Sequence, residues 1–169
     1  ASLDLHRDGQ PILQNVTAEI PPTGLTAVIG PNGAGKSTLL HCLAGLLSPQ
    51  AGKVLIGDKD IAALRPQQRA HLVALLTQSP AIVPRISVRE MVALGRWPRH
   101  RGRPTPQDHQ LVDNALTLFD LNDLQGRKLD SLSGGQRQRA FVAMAHAQST
   151  PWMLLDVPLA ALDPRYARD

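Results

Sequence analysis

The sequence predicts an α/β fold: a mainly parallel sheet core, an antiparallel β part at the N-terminus, and a helical insertion in the middle. Three observations carry that expectation. Short apolar stretches of strand length alternate with longer stretches of helical spacing, the order that yields parallel strands joined by crossover helices. A glycine-rich turn, "GPNGAGKST" at 30–38, joins one apolar stretch to a helix. Residues 79–130 carry helix-start signals in place of strands.

The elements follow in order. "ILQNVTAEI" (12–20) alternates in part and reads as a strand, and "LTAVIG" (25–30) as a short apolar strand that stops at glycine. "GKSTLLHCLAGLL" (35–47) spaces its leucines for a helix that ends before Pro49, since proline cannot continue one. "KVLIG" (53–57) and "HLVALLTQ" (71–78) read as strands. Ser87 with Glu90 three residues on forms a capping box. Thr105 caps a second helix with Pro106 at its first position. "LSGGQRQRAFVAMAHAQ" (132–148) is a loop feeding a helix, and "WMLLD" (152–156) closes the set as a strand.

The 169 residues suffice for one domain with a core. A hydrophobic content of 43% indicates a globular chain. No apolar run approaches the ~18 residues that span a bilayer, and the opening residues hold no signal-peptide core. The expectation is a soluble, cytoplasmic protein. Cys42 is the lone cysteine, which excludes an internal disulfide and a cysteine-based zinc site. His41, His71 and His146 occur singly and read as structural. The net charge of +4 suits anionic ligands, nucleic acid or membrane headgroups and selects none of them. Much of that charge lies from Arg85 to Arg103, with six arginines and one glutamate. The stretch is either a solvated basic surface or a face near a membrane partner.

Residues 30–38 fit G-x-x-x-x-G-K-[ST] in full. The residues are Gly30, Pro31, Asn32, Gly33, Ala34, Gly35, Lys36, Ser37 and Thr38. Glycines let backbone N–H groups turn inward around phosphate oxygens, and the helix start adds partial positive charge. Lys36 can reach the outer phosphates and Ser37 can ligate Mg²⁺. This is the phosphate loop of a P-loop NTPase. Asp156 ends an apolar strand, where a carboxylate can bind Mg²⁺. Ser133, Gly134 and Gly135 open another helix, a second anion-friendly start or a simple cap followed by glycines.

The order of these features resembles the ATP-binding cassette (ABC) ATPases over nearly the whole chain: phosphate loop, Gln78, a helical segment, "LSGGQ", "LLD", then "ALD" (161–163). The resemblance implies the roles. Residues 30–38 are the Walker A loop that binds ATP. Gln78 is the Q-loop glutamine that senses Mg²⁺ and couples to a membrane partner. Ser133, Gly134, Gly135 and Gln136 are the signature that closes on ATP held by a second copy. Asp156 is the Walker B aspartate, so that Ser37, Gln78 and Asp156 hold Mg²⁺, and Asp163 lies in the D-loop. Adenine would stack near His6 or Arg7. The implied division is a RecA-like core, about 1–78 and 140–169, around a helical subdomain, about 79–139.

"REMVALGRWPRHRGRPTPQDHQ" and "LDSLSGGQRQRAFVAMAHAQST" are similar to the ATPase subunits of iron–siderophore importers. That resemblance implies a peripheral subunit on the cytoplasmic face of the bacterial inner membrane. It would pair with a second ATPase subunit and a transmembrane permease, and indirectly with a substrate-binding protein. No nucleic-acid partner is expected. Heme and cobalamin importers share related patterns.

Two departures stand out. Val157 occupies the place of the glutamate that positions the attacking water. The expectation is that ATP–Mg²⁺ binding survives and hydrolysis is strongly impaired. The alternative function is therefore an ATP-dependent dimerisation module. No residue after the D-loop matches the family's switch histidine, and the chain reads as a piece of a longer cassette.

Overall fold

The computed structural model describes residues 2–77 and 85–156. Gln78, Val157 and Asp163 lie outside them. Two compact units are formed, one within Ala1–Arg69 and one within Ala70–Asp169.

The first unit opens on an antiparallel hairpin, β1 (Leu3–Arg7) and β2 (Gln10–Val16). Asp8 and Gly9 both take positive φ at its tip, 52° and 75°, the two-residue turn whose twist suits a hairpin. Asp4 extends the pairing by an antiparallel bridge to Ala51. Gln50 continues it with its side chain, accepting from His6 N–H at 2.8 Å and donating to His6 O at 3.1 Å. Leu3, Leu5, Leu13 and Cys42 form the small buried core.

Helix α1 runs Lys36–Leu43 and stops short of its expected end at Leu47. The reason is Gly45, at φ 70°. Its N–H donates to Cys42 O, and Leu46 N–H donates to His41 O, both at 2.9 Å. This is the paired closure that a left-handed glycine makes at a helix end. Residues 25–30 form no strand. Leu25 is 93% and Ile29 87% exposed, and the segment has no ladder partner among the described residues, which a strand requires. The expected strand at 53–57 shortens to β3 (Leu55–Ile56), turned at Gly57 onto β4 (Lys59–Asp60). Short helix α2 (Pro66–Ala70) follows.

The second unit holds the parallel pair. β5 (Val73–Leu76) runs beside β6 (Trp152–Leu155), with Val73 opposite Trp152 and Leu76 opposite Leu155. Between them come helices α3 (Val88–Leu94), α4 (Trp97–His100), α5 (Pro106–Leu118) and α6 (Gly134–Ala147). The capping box of Ser87 and Glu90 is formed as the sequence predicts, and so is the Thr105 cap with Pro106 behind it. Asp108 closes that second cap into a box. The core packs α3, α5 and α6 around Val88, Val92, Ala115, Leu116, Ala140 and Ala143, all of them 0–1% exposed.

Candidate nucleotide-binding site

The phosphate loop belongs to the first unit, and its glycines have two separate jobs. Gly33 and Gly35 take φ of 83° and 84°, the left-handed region that admits glycine. A side chain on Gly35 would also meet Ile12 O at 2.9 Å and Leu13 Cδ2 at 3.0 Å. The loop is thus seated against β2 by the glycine that precedes Lys36. α1 then begins with no side-chain cap and no acid in its first turn. Nothing in the helix's own first turn competes for an anion at that start. Lys36 Nζ donates to Gly30 O at 2.9 Å and Pro31 O at 2.8 Å. Its ammonium therefore lies over the loop it is expected to serve. Ser37 and Thr38 stand in the first turn of α1.

The second glycine-rich start belongs to the second unit. Ser133 caps α6, its Oγ accepting from Gln136 N–H at 3.2 Å, while Gln136 Oε1 accepts from Ser133 N–H at 3.1 Å. Gly134 and Gly135 have ordinary negative φ, and a Cβ on either would meet nothing within 4 Å. Among the described residues, neither backbone shape nor packing calls for glycine there. Each weakens the helix by up to about 1 kcal/mol relative to alanine. What glycine does provide is an open, bare backbone at a helix N-terminus, where a phosphate can come close.

Asp156 follows β6 directly, and its N–H donates to Leu76 O at 2.8 Å, which keeps the ends of β5 and β6 in register. The residues predicted from sequence thus fall into two groups, Gly30 to Thr38 in one unit and Ser133 to Gln136 with Asp156 in the other. Gln78 and Val157 are outside the described residues. Among the described residues no cluster of three or more His, Cys, Asp or Glu side chains forms a metal site. The donors proposed for Mg²⁺ are accordingly a hydroxyl, an amide and a single carboxylate, a set that needs phosphate oxygens and water to complete it.

The arginine-rich stretch is more than a solvated face. Arg96 is 6% exposed and pairs with Asp108, Nε to Oδ1 at 2.9 Å. Arg85 pairs with Asp130 at 3.3 Å and Arg89 with Asp113 at 2.6 Å. Arg99 donates to Ser149 O at 3.0 Å. Thr105 N–H and Oγ1–H both donate to Asp108 Oδ2, at 2.8 and 2.7 Å. The backbone bond from Thr105, then its hydroxyl and the Arg96 guanidinium, hold the Asp108 carboxyl down to about 2 against the cost of burial. Sequence reasoning missed this pair. Its available signal was Thr105-x-x-Asp108, a capping box whose acid is close to an arginine-bearing turn.

The ABC transporter family pattern matches residues 13–160 of the chain. The chain belongs to the ABC transporter ATPase family. It is 43% identical over 145 residues to a petrobactin import ATP-binding protein of Bacillus anthracis, covering 86% of this chain and 58% of that one. It is 41% identical over 167 residues to a hemin import ATP-binding protein of Pseudomonas entomophila, covering 96% of this chain and 65% of that one. The chain therefore spans less than two thirds of the length of these relatives. Among solved structures it superposes on a dimeric ATP-binding cassette in a post-hydrolysis state, bound to ADP and Pi. The TM-score is 0.83 at 27% identity, over 97% of this chain and 75% of that one. The fold is that of an ABC ATPase nucleotide-binding domain, with its phosphate loop and helical segment.

Proposed function

We propose that the chain is the ATP-binding part of an ABC importer for an iron chelate, a siderophore complex first and heme or another metal chelate next. It binds ATP–Mg²⁺ on the loop from Gly30 to Thr38 and closes head to tail on a second copy, whose Ser133 to Gln136 turn meets the nucleotide. The observation that carries this reading is the pair Gly134 and Gly135. They are bare at a helix start, and among the described residues nothing packs where their side chains would be, as suits an interface that receives a phosphate from outside the chain.

In this reading Lys36 leaves the Gly30 and Pro31 carbonyls for the outer phosphates, and the first N–H groups of α1 cradle the same charge. Bound Mg²⁺ would supply charge neutralisation, held by Ser37, Gln78 and Asp156. The helical segment at about 79–139 is assigned to contact with a permease on the inner face of the bacterial membrane, and the stretches about 1–78 and 140–169 to the RecA-like core. A substrate-binding protein acts upstream of the permease. The similarity to petrobactin and hemin import proteins supports the chelate class.

Val157 favours a second reading of the same site, an ATP-dependent dimerisation module with little turnover. Valine neither accepts a proton nor hydrogen-bonds water, and general-base assistance is worth ~10² to 10⁴ in rate. Sedimentation of the chain with and without Mg–ATP tests what both readings share. ATP-driven dimers support it, and a chain that stays monomeric at saturating ATP overturns it. Phosphate release then separates the two readings.

A further inference from the structure

Helix α6 has its signature turn at one end and a dense set of polar ties at the other. Arg96 Nη1 donates to Ala147 O at 2.9 Å and Gln148 O at 3.2 Å, the last carbonyls of the helix. Its Nε is held by Asp108, which Thr105 fixes in turn. Gln148 Nε2 donates to Ala70 O at 2.7 Å and Val73 O at 3.2 Å, which ties the same helix end to the start of β5. One turn earlier, a Cβ on Gly95 would run into the carbonyl of Met144. The backbone around Gly95 therefore lies directly on α6, closer than any side chain allows. A helix of 14 residues carries such a constraint along its length, about 20 Å to the first turn.

A cationic group at the helix C-terminus also complements the helix dipole and satisfies carbonyls that have no partner inside the helix. Burying an arginine–carboxylate pair for stability alone is a poor bargain, since apolar residues of similar volume often do as well. What the pair gives beyond apolar packing is direction: a planar fork that binds two carbonyls and a carboxylate at once.

We propose that Arg96 and Asp108 are positioning residues for the signature turn. By fixing the last turn of α6 they set where Ser133 to Gln136 meet nucleotide held by a second copy. The inference rests on the head-to-tail reading above.

The test compares the parent chain with Arg96→Met and with the apolar pair Arg96→Met/Asp108→Leu. Mg–ATP binding by the monomer is measured beside ATP-driven dimer formation. Monomer affinity should stay within about twofold, because the phosphate loop is in the other unit. Dimer formation should weaken about tenfold in both variants, including the apolar pair with its melting temperature near the parent's. Parent-like dimerisation by either variant overturns the proposal. Should Arg96→Met fail to fold, the apolar pair and Arg96→Lys decide. Lysine keeps the charge without the fork, so its dimerisation should weaken as well, and parent-like dimers from it overturn the proposal too. Ser133→Arg separates the two levels of failure. If that variant still dimerises with ATP, the head-to-tail reading is wrong and this inference falls with it.

Discussion

Lys36 Nζ sits 2.9 Å from the carbonyl oxygen of Gly30, so the loop's own cation closes the loop from within. The same ammonium is the group expected to meet the outer phosphates. Lys36→Met should therefore lower affinity for Mg–ATP about ten- to a hundredfold, the range of a hydrogen bond to a charged group. Calorimetric titration reads it, and an unchanged far-ultraviolet circular dichroism spectrum shows that the loss is not unfolding.

Glycines that look alike in sequence should respond in opposite ways. Gly95→Ala drives a methyl into the Met144 carbonyl and should destabilise the second unit by about 1 to 3 kcal/mol. Gly134→Ala and Gly135→Ala meet nothing, and helix propensity should leave the chain as stable or up to about 1 kcal/mol more so. The same two variants should lose ATP-driven dimers. Urea unfolding beside sedimentation separates fold from interface.

Acid should reach the second unit through Asp108. Its carboxyl is held at about 2 in the folded chain against an ordinary 3.8. A depressed carboxyl stabilises fully above its unfolded pKa, and that contribution is lost as pH falls through the folded one. Asp108→Asn, which leaves Arg96 buried without its counter-charge, should cost about 3 kcal/mol at neutral pH. The gap between variant and parent should shrink between about pH 4 and pH 2. Urea midpoints across that range measure it.

Val157→Glu should raise phosphate release by ~10² or more if the remaining machinery is complete. Mg–ATP affinity should change little, since the proposed binding uses the loop and the helix start. A single-turnover assay on both chains reads the ratio.

Much of the second unit was legible because its signals are local. Ser87 with Glu90 and Thr105 with Pro106 each carry their own start, and the structure forms both as read. The apolar stretches that became β5 and β6 were likewise plain. The first unit was harder. Residues 25–30 have strand composition, yet composition cannot supply a neighbour to bond with. α1 ended early because the glycine at 45 outweighed the leucines beyond it. At the candidate site, the loop and signature turn were visible as contiguous patterns. Arg96 and Asp108 were not, because they meet across twelve residues, and the arginine-rich stretch that holds Arg96 read equally as a solvated surface or a face near a membrane partner.

Leu25 and Ile29 are largely exposed, on a backbone with no ladder partner among the described residues. "LTAVI" is uncharged and rich in β-branched residues, which makes it an adhesive segment for any other extended chain. Its hazard is second order in protein. At high concentration two such segments meet more often than one molecule can be kept apart from the next, so handling at low micromolar concentration governs how long the preparation remains clear.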